Sequence, residues 1–398
     1  MSRGRQFREL LRRGGLTIAP GAYDCITARS IAQAGFGAVY MTGAGTAATL
    51  GYPDYGLLTM SEMADNAGRI AAAVDVPVIA DADTGYGNEL NATRTVREYE
   101  RRGTAGLHIE DQGFPKRCGH LDNKAIIPLD EYLAKIQAAV AARRDPDFAV
   151  IARTDSRAVL GFEEAIRRAN AALAVGADMA FVEAPQTMEE VAAVPRLVKG
   201  PCLLNVVWGG KTPELGFGDA ERMGYQLAIV PGLLFKAVIG VCDAMLSELR
   251  RTDRHPVPVH SMTVREAFRR VGADEWDAIS DRFGVGKPPR PRPRSRRWPG
   301  RRRFSTRSGR LTVMLDPTRV GRDAGRIADR LPSSRTDGQP AAQACTGTGQ
   351  DPGDPALLRS RIGDVHTASP VKRGQRGGQG LGADARIRKT AISKAYGR

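Results

Sequence analysis

The chain is 398 residues long with a formal net charge of +15, and that charge is unevenly spread. Residues 286–398 hold 26 Lys and Arg against 8 Asp and no Glu, a net of +18, which leaves residues 1–285 with 33 basic and 36 acidic side chains and a net of −3. A slightly acidic body gives no electrostatic case for nucleic-acid binding, no apolar run nears the roughly 18 residues needed to cross a bilayer, and five scattered cysteines without a CxxC pair do not make a disulfide framework. The expectation is a soluble, cytoplasmic protein with reduced thiols.

Strand-like apolar runs fall at 16–19, 38–42, 76–83, 105–111, 148–155, 179–184, 202–207 and 226–231. They are continuous rather than alternating, as expected of strands buried on both faces of a parallel sheet. Between them, 61–73, 92–102, 129–144 and 163–175 are amphipathic and rich in Ala, Arg and Glu, and glycines such as Gly103 and Gly176 punctuate the helix ends. Eight β/α units in about 235 residues match a closed (β/α)8 TIM-type barrel. An open doubly wound sheet is the alternative. The polar clusters favour closure, because they lie at the C-terminal ends of at least six strands and need a common axis to meet. A long helix at 233–249 leads into a helical extension at 264–283, so a catalytic domain is expected over 1–285. From residue 286 the chain is rich in Arg, Gly and Pro with little apolar periodicity, and disorder is expected. A basic arm for nucleic acid or acidic lipid is one reading of this tail. Its composition, without Glu, better fits sequence with no selected fold.

Two motifs carry chemistry. Val76–Asp83 ends in Asp81-Ala82-Asp83 and a glycine-rich turn. Alternation along a strand would point both carboxylates the same way, where they repel unless a cation or shared proton lies between them. Oxygen-only ligands suit magnesium or manganese rather than zinc. The second is Glu110-Asp111-Gln112-Gly113-Phe114-Pro115-Lys116-Arg117-Cys118-Gly119-His120, at a strand end and in the following loop. A thiol flanked by Lys116, Arg117 and His120 is expected to ionise more easily than a free cysteine.

These motifs, together with Pro20-Gly21-Ala22-Tyr23-Asp24, Ala152-Arg153-Thr154-Asp155 and Val182-Glu183-Ala184-Pro185, resemble the isocitrate lyase/phosphoenolpyruvate mutase superfamily. The resemblance spans residues 8–285 and is closest to the 2-methylisocitrate lyase, dimethylmalate lyase and petal-death branch; the tail has no counterpart. It implies a barrel whose last helix packs on a neighbouring subunit in a dimer or tetramer. It also implies a Mg2+-dependent carbon–carbon lyase, with Mn2+ as the alternative ion, acting on a 2-hydroxy di- or tricarboxylate by retro-aldol or retro-Claisen chemistry. The runner-up is an oxaloacetate-cleaving enzyme or a phosphonate-handling mutase on the same barrel. Carried over by motif, Asp83 binds the metal most directly, with Asp54, Asp81 and Glu110 around it. Thr42, Gly43 and Ala44 offer backbone N–H groups to a substrate carboxylate, Arg153 pairs with a carboxylate, and Cys118 protonates the carbanion from a mobile loop. Tyr40, Gly119, His120, Glu183 and Asn205 complete the pocket.

Two positions bear on the substrate. Trp208 stands where the branch usually carries an acid after the seventh strand, which is expected to change what the substrate's far end can be. Pro231 agrees with lyases rather than with oxaloacetate hydrolases, which tend to have Ser there.

Overall fold

The computed structural model describes residues 1–258 and 260–284. After α1 (Arg3–Arg12) the chain runs β1 (Thr17–Ala22), α2 (Cys25–Gln33), β2 (Val39–Met41), α3 (Gly43–Thr49), α4 (Met60–Ala73), β3 (Val78–Asp81) and α5 (Glu89–Arg101). It continues through β4 (Gly106–Glu110), α6 (Leu129–Ala142), β5 (Ala149–Thr154), α7 (Arg157–Leu160), α8 (Phe162–Ala174) and β6 (Met179–Val182). Next come α9 (Met188–Leu197), β7 (Cys202–Asn205), α10 (Phe217–Met223), β8 (Leu227–Val230) and α11 (Leu233–Thr252), and then α12 (Val264–Arg270) and α13 (Ala273–Phe283). Each strand pairs in parallel with the next, and β1 closes on β8 with Thr17 opposite Leu227 and Pro20 opposite Val230. The sheet is a closed eight-stranded barrel, and the open-sheet alternative is excluded.

The continuous apolar runs have a simple cause: every strand is covered on both faces. Ile79, Ile151, Phe181, Leu203 and Ile229 pack inside the barrel, while Met41, Val78, Leu107, Ile109 and Val150 pack outward against the helical shell. Each such side chain contributes roughly 1.5–3 kcal/mol on burial. The basic N-terminus, assigned no element from sequence, forms α1. Its Phe7 is buried with the barrel interior at the end opposite the site. Gly103 and Gly176 adopt φ of 85° and 108° just past α5 and α8, the left-handed stop expected of them.

The last helices behave differently. No residue of α11 is buried, and Leu233, Val238, Ile239, Val241, Leu246 and Leu249 are exposed along it. The expected helical extension is present as two helices, broken at Gly272 with φ 94°. The tail expected to be disordered, 286–398, lies outside the described residues.

Candidate active site

The C-terminal ends of the strands open on a cleft of about 260 Å3. Tyr40, Thr42, Ala44, Asp54, Asp81, Cys118, Gly119, His120, Arg153, Glu183 and Asn205 line it, with Val207, Pro231, Phe235 and Lys236 at its far side. Asp83 and Glu110 are buried close by rather than lining it. Gly43, expected to face substrate, instead donates its N–H to Asp81 Oδ2 at 3.2 Å, because a buried carboxylate needs such partners.

The acids on the β2–β4 side are held differently from what strand alternation implies. β3 ends at Asp81, whose Oδ1 accepts the Asp83 N–H at 2.9 Å, and Asp83 takes a left-handed φ of 45°. A side-chain turn therefore places Asp83, at a backbone conformation that costs free energy for a non-glycine residue. Asp81 faces His108 Nε2 at 3.6 Å, and Tyr40 donates to it at 3.3 Å. Burial pushes its carboxyl up, but His108, Lys116 and Arg153 outweigh this and hold it well below the usual range. Asp83 is pushed up to about 6 by burial and by Asp81 and Asp54, against the pull of Lys116. Glu110 is raised well above the usual range, first by burial and then by Asp155 and Asp83 despite Arg153.

The cation between these carboxylates is a protein group. Lys116, only 2 % exposed, pairs with Asp54 and lies 2.9 Å from Asp83 Oδ1. Lys116 and the nearby Arg153 do not balance four carboxyl groups, and the raised Asp83 and Glu110 reflect that shortfall. Glu110 accepts no hydrogen bond at either oxygen, although Arg153 Nε is 3.2 Å from Oε2. An all-oxygen set that already draws a cation, and that keeps buried oxygens unpaired, fits a hard divalent ion. Among the described residues, no three His, Cys, Asp or Glu side chains converge tightly enough to hold a metal by themselves. A cation there would therefore take water or substrate oxygens as well.

On the β5–β7 side Arg153 is aimed by Asp155, which accepts from Nε at 2.8 Å and from Nη2 at 3.1 Å. The guanidinium also lies 5.0 Å over the Phe181 ring and 3.9 Å from Glu183. Asp155 is fixed in turn by Asp111, which accepts its N–H at 2.8 Å and the Thr154 hydroxyl at 2.6 Å. Glu183 accepts from Asn205 Nδ2 at 3.2 Å and faces His120 Nε2 at 3.2 Å. His120 Nδ1 accepts the Lys211 N–H at 3.0 Å, so Nε2 carries the ring proton toward Glu183.

Residues 112–127 form the loop over the cleft, pinned at its base where Gly113 N–H donates to the Ala125 carbonyl and Ile127 N–H to that of Asp111. Cys118 is on this loop, and its thiol corrects the sequence expectation. Burial and then Asp54 push it up to about 11, away from thiolate. The neighbouring cations are engaged elsewhere: Lys116 on Asp54 and Asp83, Arg117 over the Tyr55 ring at 5.7 Å. Burial keeps His120 below its usual range, so it adds no fixed charge. Trp208 is 74 % exposed and its side chain does not line the cleft, while its carbonyl accepts from Lys236 Nζ at 2.5 Å.

Sequence reasoning gave no role to His108, Lys124 or Asp155, and it placed Lys116 beside the thiol rather than among the acids. For His108 the sign was available: two residues before Glu110 on one strand, it shares that residue's face. Nothing in the spacing marked Lys124.

Residues 7–250 match the family described as Phosphoenolpyruvate phosphomutase. The chain belongs to this family. It is an enzyme of the phosphoenolpyruvate mutase/isocitrate lyase superfamily. A 2,3-dimethylmalate lyase of Eubacterium barkeri is 47% identical over 290 residues, covering 72% of this chain and all of that one. A 2-methylisocitrate lyase of Aeropyrum pernix is 43% identical over 62% of this chain and 79% of its own length. Among solved structures, oxaloacetate acetylhydrolase with 3,3-difluorooxalacetate aligns with a TM-score of 0.69 at 38% identity, over 71% of this chain and 97% of that one. Phosphonopyruvate hydrolase with oxalate and Mg++ aligns at 0.65 and 31% identity, over 71% and 99%. In this family setting, the cleft at the strand ends is the candidate active site.

Proposed function

We propose that the protein is a divalent-metal-dependent carbon–carbon lyase that cleaves a 2-hydroxy di- or tricarboxylate resembling 2,3-dimethylmalate or 2-methylisocitrate. The observation that carries this reading is one cleft holding an acid cluster short of positive charge, a pre-aimed arginine and a neutral thiol. Asp83, with Asp81, Asp54 and Glu110, would hold Mg2+ or Mn2+. Bound there, the ion supplies Lewis-acid charge that lowers the pKa of a 2-hydroxyl.

The remaining work falls to side chains of this chain. Arg153 receives a substrate carboxylate and stabilises the negative charge that develops on it when the C–C bond breaks. Tyr40 holds Asp81 in place, and Asn205, Glu183 and His120 shape the wall opposite. Thr42 and Ala44 line the cleft where a carboxylate enters, and Gly119 brings the loop backbone close. Cys118 is on that loop as a neutral thiol, the protonation state required of an acid that must give its proton to carbon. Closure of the loop excludes water before this transfer.

A homo-oligomer is part of the same reading. The bare apolar residues of α11 support a dimer or tetramer in which this helix packs on a second copy. A cytoplasmic location suits the free cysteines among the described residues. The slightly acidic net charge of residues 1–285 gives no electrostatic case for nucleic acid beyond non-specific attraction to the tail.

The second reading is an oxaloacetate-cleaving enzyme, favoured by the likeness to the acetylhydrolase and opposed by Pro231 in the cleft. A screen of 2-methylisocitrate, 2,3-dimethylmalate, oxaloacetate and phosphonopyruvate, each with Mg2+, separates the readings. Turnover of a 2-hydroxy acid supports the lyase, whereas turnover of oxaloacetate or phosphonopyruvate alone overturns it.

A further inference from the structure

The loop over the cleft carries a second buried lysine with no part in the chemistry above. Lys124 comes from the returning limb of the loop, with its side chain only 1 % exposed. Its Nζ donates to the Gly119 carbonyl and lies 3.5 Å from Asp155 Oδ1. Both partners are well placed to matter. Gly119 is where the loop comes closest to the site: a Cβ there would meet Glu183 Oε1 at 2.3 Å and Arg153 Nη2 at 2.6 Å. Asp155 is the carboxylate that aims Arg153.

Charge balance gives the contact a purpose. Arg153 stands among three carboxyl groups, with Asp155 at 2.8 Å, Glu110 at 3.2 Å and Glu183 at 3.9 Å. A guanidinium already gripped by Asp155 and faced by Glu183 is a weak receptor for a further carboxylate. A second cation on Asp155 offsets part of that excess, and buried charges of this kind are costly to leave unpaired. Lys124 belongs to the loop, so it reaches Asp155 only when the loop lies against the strand ends.

We infer that Lys124 is a positioning residue: it latches the 112–127 loop onto Asp155 and thereby couples loop closure to carboxylate affinity at Arg153. The coupling rests on the reading of the cleft as a carboxylate site.

The test is peptide-resolved labelling of the full-length protein. Iodoacetamide is used for Cys118, and oxalate with Mg2+ serves as the carboxylate probe. In Lys124→Met and Lys124→Gln, Cys118 is expected to label about tenfold faster than in the parent without ligand, as for a locally opened segment. Each variant should also need about tenfold more oxalate for equal protection, a coupling of ordinary size. Lys124→Arg should restore both. Variants that melt cooperatively yet label and bind oxalate like the parent would overturn the latch. A further measurement needs no variant. In the parent protein, acetic anhydride should modify Lys124 far more slowly than exposed lysines, and more slowly still with oxalate. Lys124 reacting as fast as exposed lysines with oxalate bound would also overturn it. Fast Cys118 labelling in the variants, with no oxalate effect in the parent, would count against the carboxylate reading and leave the latch standing.

Discussion

On the β2–β4 side of the barrel mouth, Asp54, Asp81, Asp83 and Glu110 gather near one ammonium, that of Lys116, and Glu110 accepts no hydrogen bond. On the β5–β7 side, one guanidinium is gripped by Asp155, faced by Glu183, and backed by Asp111 and Asn205. The first half is incomplete until more positive charge arrives, and the second is already built. Preorganised groups lose little on binding, whereas an unfilled charge site makes activity conditional on its ligand. The molecule thus separates a half that waits from a half that aims.

The largest effect should come from emptying the first half. Excess chelator is expected to abolish turnover, with recovery on Mg2+ or Mn2+ but little on Zn2+. Asp83→Ala should lose that recovery at ordinary metal concentrations. Steady-state rates across a metal titration check both, and full activity in excess chelator would erase the distinction between the halves.

Next in size is the proton donor that spans them. Cys118→Ser should lower kcat by roughly 10²–10⁴, the usual worth of a positioned acid, while oxalate binding by calorimetry stays near that of the parent. Arg153→Lys should cost less. Lysine keeps the charge but not the fork that Asp155 grips, so about 10²-fold in kcat/KM is expected from misplacement alone. A loss confined to kcat, with substrate binding untouched, would show that Arg153 does not receive a carboxylate.

Further out the effects shrink. Val238→Glu with Ile239→Lys should shift the oligomer toward monomer in sedimentation without unfolding the barrel, because neither side chain is buried in it. Ending the chain at residue 285 should change turnover and assembly least of all. It removes the net +18 of the tail, so any retention on a polyanion column should go with it.

The barrel was legible in the sequence because each strand is covered on both faces, which leaves an apolar run at every one of eight positions. The finer geometry was not. The run 76–83 continues past the true strand because Ala80 and Ala82 look alike to a pattern, while the Asp81 side chain turns the backbone at Asp83. Thiol ionisation was misjudged for a related reason. Sequence counts neighbouring charges, but Lys116 and Arg117 are engaged by Asp54 and Tyr55, and burial then decides. The apolar residues of α11 read as a helix face from sequence, but what that face covers did not follow from their pattern, since an apolar face looks the same whichever surface it meets. Asp81, Asp83 and Cys118 stood out by their own chemistry and the rest of the candidate site through a family likeness, whereas the ion pairs of Lys116 and Lys124 needed coordinates, since their partners are distant in sequence.

The most direct measurement is release of pyruvate from 2,3-dimethylmalate and 2-methylisocitrate, each with Mg2+. Both place hydroxyl, methyl and carboxylate on one carbon, so cleavage of the adjacent C–C bond yields pyruvate from either. The account predicts pyruvate from at least one, stopped by chelator and strongly reduced in Cys118→Ser. No pyruvate from either, or pyruvate formed at full rate in chelator, would contradict it.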